Sequence, residues 1–345
     1  MAGDINAREM VFGLLGGLAL FIYGMNLMAD GLQKTAGERM RRILEVLTGN
    51  PIMGVIVGAF VTMLVQSSSA TTVMVIGFVS SGLMTLTQAI GVILGANIGT
   101  TFTAQLIAFK IGSYAYVIAA IGFIFYFFFK KRMLKYIGQS VFAFGLLFMG
   151  LNLMGDVMKP LANSPAFADL MLELGKHPVL GILVGTVITM IIQGSGPTIA
   201  VLQNLASQPM PDGVHALISL ETAIPILFGS NIGTTITAVL ASIGARINAK
   251  RAALAHSLFN IFGTLVFVWL IPLFAKFIRL ISPKGLECEV ISRQIANAHT
   301  FFNVLNTIIW LPFIWLLAKA VTFLVRGEDD IIEKRVLYLD YKVLR

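Results

Sequence analysis

Long apolar runs alternate with short polar stretches along the whole chain. Residues 11–28, 113–129 and 136–158 are continuous enough to be membrane-crossing helices, and residues 252–274 and 301–325 add two more. A full span needs about 20 apolar residues. The runs 51–65 and 178–192 fall short of that. Each stops at a polar cluster and is followed by another short apolar run, a pattern that predicts re-entrant hairpins with the polar clusters at their tips. Residues 88–109 and 222–242 are long enough to span, but small polar residues interrupt them, which predicts helices broken at Asn97 and Asn231. Unwound backbone at membrane depth survives only against protein or a wet cavity. The expected fold class is an all-α polytopic membrane protein with re-entrant helical hairpins and discontinuous transmembrane helices.

The polar clusters come in pairs. Gln66-Ser67-Ser68-Ser69-Ala70-Thr71 is answered 127 residues later by Gln193-Gly194-Ser195-Gly196-Pro197-Thr198. Gly95-Ala96-Asn97-Ile98-Gly99-Thr100-Thr101 is answered 134 residues later by Gly229-Ser230-Asn231-Ile232-Gly233-Thr234-Thr235. Gly24-Met25-Asn26 returns as Gly150-Leu151-Asn152 at an offset of 126. Slowly growing offsets mark a tandem duplication with loop insertions. Paired polar breaks in short apolar segments are the sequence pointer to a transporter's binding site. A smaller echo sets Ala255-His256 and Asn260 against Ala298-His299 and Asn303, with His and Asn on one helical face. These histidines suit either a proton relay or a satisfied hydrogen bond to the neighbouring Asn or to backbone.

Charge orients the copies. Lys34, Arg39, Arg41 and Arg42 follow the first span of copy one, whereas Lys130, Lys131, Arg132 and Lys135 precede the first span of copy two. Positive residues favour the cytoplasmic side, so equivalent spans run in opposite directions and the repeats are inverted. Arg246, Lys250 and Arg251 close the second copy on that side, and the matching loop of the first holds only Lys110. The expected layout is a first inverted repeat at 1–135, a second at 136–275, an additional transmembrane helix at 276–325 and a cytoplasmic tail at 326–345. The N-terminus lies outside, in a plasma (inner) membrane protein. Basic residues between Lys276 and Arg293 fall on the outer side and run against the rule.

Composition agrees. Hydrophobic residues make up 57% of the chain and charged residues 12%, against about 25% charged in an average soluble domain. The net charge of +8 follows from the cytoplasmic clusters, not from a nucleic-acid surface. The single cysteine, Cys288, is placed in a loop and leaves no intramolecular disulfide. Asp4 and Glu9 spoil the basic start of a signal peptide, so the first run reads as a membrane helix. No Ser/His, paired-Asp or metal-ligand constellation recurs at suitable depth, and the expectation is not an enzyme, with no catalytic residues.

Hydroxyls, amides and freed carbonyls suit a sodium ion leaving water, while helix N-termini suit an anion. One such end contributes about 0.3–1 kcal/mol when exposed and ~2 when partly buried. No Lys or Arg falls within the motifs. An anion there needs cations that arrive with it, which is the logic of a symporter. Dicarboxylate and sulfate suit such tips too, and a non-transporting phosphate sensor is the reading from another class. Glu221 reads as an ion ligand or a helix cap, and Asp30 and Asp156 as solvated boundary residues.

The Gln-Ser-Ser-Ser run at Gln66, its partner at Gln193 and the Asn-Ile-Gly-Thr-Thr runs resemble the type II sodium/phosphate cotransporters and their bacterial relatives. The resemblance implies a symporter in which phosphate and co-transported sodium bind near the membrane midplane. Phosphate would meet Gln66, Ser67, Ser68, Ser69, Gln193, Gly194, Ser195 and Gly196. Sodium would meet Ser68, Thr71, Asn97, Thr100, Thr101, Gln193, Ser195, Thr198, Asn231, Thr234 and Thr235. Gly194 and Gly196 depart from the family's hydroxyls. A homodimer is an expected partner arrangement, and the resemblance implies a cytoplasmic PhoU-like domain past a linker at Leu339-Asp340-Tyr341.

Overall fold

The computed structural model describes residues 7–36, 50–109 and 111–327. Arg39, Arg41, Arg42, Lys110 and the tail at Leu339-Asp340-Tyr341 lie outside the described residues. Apart from one isolated bridge between Pro209 and Ala216, the regular structure described is helical. Among the described residues, seven helical stretches are long and apolar enough to cross a membrane. Large apolar side chains such as Ile191, Trp269 and Leu280 are exposed on the outside, which suits lipid and not water.

Helices α1 (Ala7–Ala36) and α6 (Arg132–Met158) share the most extensive packing in the molecule. The sequence echo expects them to be equivalent spans, and they run antiparallel. Gly17 lies on Gly150 and Met154, Gly24 on Ala143 and Leu147, and Gly31 on Tyr136 and Ser140. Small residues let two helix backbones touch where lipid gives no hydrophobic drive for association. α5 (Ala115–Phe128) packs on the same α6 through Gly122, Gly138 and Gly145.

The two hairpins form where the apolar runs stop. α2 (Pro51–Val65) turns into α3 (Ser68–Ser80), and α8 (Pro178–Ile192) into α9 (Ser195–Ala206). The first two leans are equivalent: α2 packs on α4 (Leu86–Ile107) and α8 on α10 (Leu220–Thr234). Gly58 sits against Val92, Gly95 against Val55, Gly185 against Ile226 and Gly229 against Ile182. Ahead of α8 stands α7 (Pro165–Lys176), a polar-faced helix that the apolar pattern does not predict. Its Asp169–Lys176 stretch meets α8 at 108°.

The breaks expected at Asn97 and Asn231 are absent. α4 passes through Asn97 without interruption, and the Asn97 amide donates to the Ile93 carbonyl at 2.9 Å. α10 likewise passes through Asn231, and the helix changes only at Thr235, where α11 (Ile236–Ala241) takes over. The glycines flanking the asparagines serve close packing. Gly99 lies on Ala59 and Thr62, and Gly233 on Thr186 and Thr189. Real interruptions fall later, at prolines. α12 (Ile247–Phe267) passes through a 3₁₀ turn into α13 (Ile271–Ile281) at Pro272, and α14 (Glu287–Trp310) does the same into α15 (Ile314–Leu324) at Pro312. Cys288 is buried in the first turn of α14, not in a loop.

Candidate functional site

Each hairpin reverses on two residues. Gln66 and Gln193 end α2 and α8 in the left-handed region, at φ 56° and 61°. Ser67 and Gly194 follow in extended conformation and become the N-caps of α3 and α9. A left-handed non-glycine residue costs roughly 1–2 kcal/mol, so its presence in both copies means the side chain is needed there. The Gln66 amide donates to the Met63 carbonyl, and its oxygen accepts from Thr103 at 2.9 Å. Behind each tip runs the same hydroxyl chain. Thr62 donates to Thr71 at 2.9 Å, and Thr71 donates to the Ser67 carbonyl at 3.2 Å. Thr189 donates to Thr198 at 2.9 Å, and Thr198 donates to the Gly194 carbonyl at 3.4 Å. These threonines fix the peptide that opens each half-helix.

The two tips meet at one cavity of about 150 Å³. All eight residues expected to hold phosphate line it, Gln66 to Ser69 from one tip and Gln193 to Gly196 from the other. Thr100 of α4, Ile22, Met25, Asn26 and Ala29 of α1, and Ile192 and Pro197 complete the wall, and no Lys, Arg, Asp or Glu lines it. The N-terminal residues of α3 and α9, Ser67 to Ser69 and Gly194 to Pro197, line this space. Ser67 caps α3 by accepting from the Ala70 amide at 3.1 Å, whereas Gly194 offers α9 no side-chain cap. α4 and α10 are unbroken there and add no helix end, so two helix N-termini converge, those of α3 and α9. The copies are linked across the site, with the Thr100 and Ser195 hydroxyls 3.5 Å apart and Thr237 donating to Ser69 at 2.9 Å.

Of the residues expected to hold sodium, Ser68, Thr100, Gln193 and Ser195 reach the cavity. Thr71 and Thr198 stand behind the tips. Thr101 accepts from Thr300 at 3.1 Å on the far face of α4. Thr234 donates to the Ser230 carbonyl and Thr235 to that of Ile232. Asn97 and Asn231 face away, toward the histidines: His256 Nε2 is 3.4 Å from Asn97 Oδ1, and His299 Nε2 is 3.0 Å from Asn231 Oδ1. The neighbouring asparagines, Asn260 and Asn303, donate instead to the His256 and His299 carbonyls at 3.0 and 2.9 Å. Glu221 stands in the first turn of α10, outside the lining of the cavity. Ser219 caps α10, and Glu221 accepts both arms of Arg279. Asn26, flagged only by its echo, is the wall residue whose role the sequence left open; Met25 carried no signal beyond its apolar character.

The fold and its neutral, two-tipped cavity define a polytopic helical membrane transporter. The sequence model described as Na+/Pi-cotransporter matches residues 20–156 and again 152–276, and the chain belongs to that family. YqeW of Bacillus subtilis, itself uncharacterized, is 32% identical over 77% of this chain and 84% of its own length. YjbB of Escherichia coli K12, provisionally named an inorganic phosphate export protein, is 27% identical over 76% of this chain, which spans 47% of that relative. The human sodium-dependent phosphate transport protein 2B is 38% identical over 28% of this chain and 14% of its own. No solved structure matches the chain.

Proposed function

We propose that the protein is a sodium-coupled inorganic phosphate symporter working by alternating access, with phosphate and sodium held together between the hairpin tips. The observation that carries this reading is one uncharged cavity walled by both tips and fed by two helix N-termini. The amides favour the anion. Without a protein cation, sodium supplies the compensating charge, and Ser68, Thr100, Gln193, Ser195 and Asn26 offer it neutral oxygens. Relatives named for sodium-dependent phosphate transport and for phosphate export support the same substrate. Direction then follows the gradients, inward under a normal sodium gradient.

Antiparallel packing of the repeat mates α1 and α6 supports inverted repeats. Orientation is argued from charge. Lys135, Arg246, Arg251 and Arg326 sit at the end of the bundle where α6 begins and α15 finishes. At the opposite end Arg279, one of the four basic residues that offended the rule, is matched by Glu221 and, at 4.0 Å, by Glu287. The first end is therefore assigned to the cytoplasm.

The test is uptake of labelled phosphate into proteoliposomes. Uptake should require sodium outside, fall when potassium replaces it, and be inhibited by arsenate but not succinate. Ser68→Ala and Ser195→Ala should each lower it by about tenfold, the loss of one charged hydrogen bond of ~1.5 kcal/mol, with expression unchanged. Equal uptake in potassium would remove sodium coupling. Phosphate binding without uptake would favour a sensor, and succinate inhibition a dicarboxylate carrier.

A further inference from the structure

The sequence echo says where two hydroxyls should go, and one of them goes elsewhere. Thr103 of α4 and Thr237 of α11 correspond at the offset of 134, and Ser69 and Gly196 correspond at the offset of 127. Thr237 meets the tip of the other copy, its hydroxyl bonded to that of Ser69 at 2.9 Å. Thr103 stands at the equivalent place beside the second tip. A Cβ built on Gly196 would come 3.8 Å from the Thr103 methyl and 3.2 Å from the Met25 sulfur. Glycine offers no hydroxyl there. Thr103 turns to the first tip instead and donates to Gln66 Oε1 at 2.9 Å.

That bond sets Thr103 apart from its neighbours. Thr101, Thr234 and Thr235 each donate to a carbonyl three or four residues back in the chain, the usual choice of a helical hydroxyl. Thr103, buried like them, donates to a side chain 37 residues away. The Gln66 nitrogen in turn donates to the Met63 carbonyl. With a donor on its oxygen and an acceptor on its nitrogen, the amide has one flip, and one N–H of its two stays uncommitted. Gln193, which corresponds to Gln66, is exposed, and its side chain bonds no described residue. One threonine from each copy therefore holds the first tip, and neither holds the second. The cavity wall carries one fixed amide and one free amide.

We infer that Thr103 is a positioning residue for phosphate: it holds the Gln66 amide in the flip that leaves an N–H for the anion, and the glycine at position 196 frees it for that role. Thr103 is absent from the lining of the cavity, so it acts through Gln66. The hydrogen bonds stand on the geometry alone, and only the choice of phosphate as the ligand of Gln66 rests on the proposed transport function.

Equilibrium binding of labelled phosphate to purified protein in saturating sodium chloride tests this, beside uptake into proteoliposomes. Thr103→Val keeps the shape and removes the donor. It should raise the Kd for phosphate by about tenfold, and uptake should show the same rise in KM with kcat within about twofold of the parent. Thr103→Ser restores the hydroxyl and should bring both constants back to within about twofold. In a Gln66→Met background Thr103→Val should leave Kd unchanged, because the amide through which it acts is gone. Gly196→Ser should bind phosphate about threefold or more weakly than Gly196→Ala, since only serine offers Thr103 the partner that Thr237 finds in Ser69. Parental affinity in Thr103→Val, or a full tenfold loss on top of Gln66→Met, overturns the positioning role. Gly196→Ser binding no more weakly than Gly196→Ala overturns the part assigned to the glycine. Should Thr103→Val not run as a single species on gel filtration, Thr103→Ala takes its place in every comparison. Failure of the transport reading shows separately, as parent protein that binds no phosphate, and takes this role with it.

Discussion

At the residue scale, the tips turn on two glutamines that a turn alone would not select. Glycine would adopt φ near 60° at no steric cost. Glutamine pays for the left-handed conformation and in return places an amide in the cavity wall. Backbone and side-chain roles are separable. Gln193→Gly keeps the turn and removes the amide. It should leave thermal stability in detergent within about 1 kcal/mol of the parent while lowering phosphate uptake. Gln193→Val removes the amide and adds a β-branched side chain to a left-handed position. It should lose a further ~1–2 kcal/mol beyond the glycine variant. If the two variants unfold together, the turn carries no strain; if Gln193→Gly transports normally, the amide is not part of the site.

At the scale of elements, the hairpins were legible and the breaks were not, for the same physical reason. A helix that stops after fifteen residues states its own length, and the residues 51–65 and 178–192 end where a polar cluster begins. Glycine beside asparagine is ambiguous, since it marks either an unwound segment or a surface for close approach, and the choice depends on a neighbour distant in sequence. Here α2 and α8 are those neighbours. The histidines show the same limit. An Asn four residues away looked like their partner, but the ring bonds run to asparagines 159 and 68 residues away. α7 was missed because its polar face hides it between two apolar runs. The packing reading makes Gly229→Ala a sharp probe, since its Cβ would be driven into the Ile182 carbonyl and the Thr186 amide. Two backbones must separate, which costs about 1–3 kcal/mol. Gly77→Ala, with open space around it, should be close to neutral. Thermal unfolding of the two proteins compares them, and equal midpoints would mean that α8 and α10 do not need contact.

At the scale of the whole molecule, two equivalent hairpins share one site, and the bonds between copies decide how it can open. Thr237 of the second copy holds Ser69 of the first at 2.9 Å, and Thr100 of the first approaches Ser195 of the second at 3.5 Å. Alternating access between the copies must part at least one of these contacts in each cycle. A covalent link at the closer one should therefore stop transport without unfolding the protein. Ser69→Cys/Thr237→Cys places two thiols where the hydroxyls stand 2.9 Å apart, near enough for oxidation to draw them into a ~2.05 Å disulfide, and the buried Cys288 does not compete. Reduced, the variant should retain measurable sodium-dependent uptake. Oxidised, it should lose at least about nine-tenths of that uptake, tenfold or 1.4 kcal/mol of barrier at the least, and recover it on reduction. Uptake that survives complete crosslinking would mean that this pair travels as one body, and the moving boundary would then have to lie elsewhere, at the Thr100–Ser195 contact or between α1 and the tips.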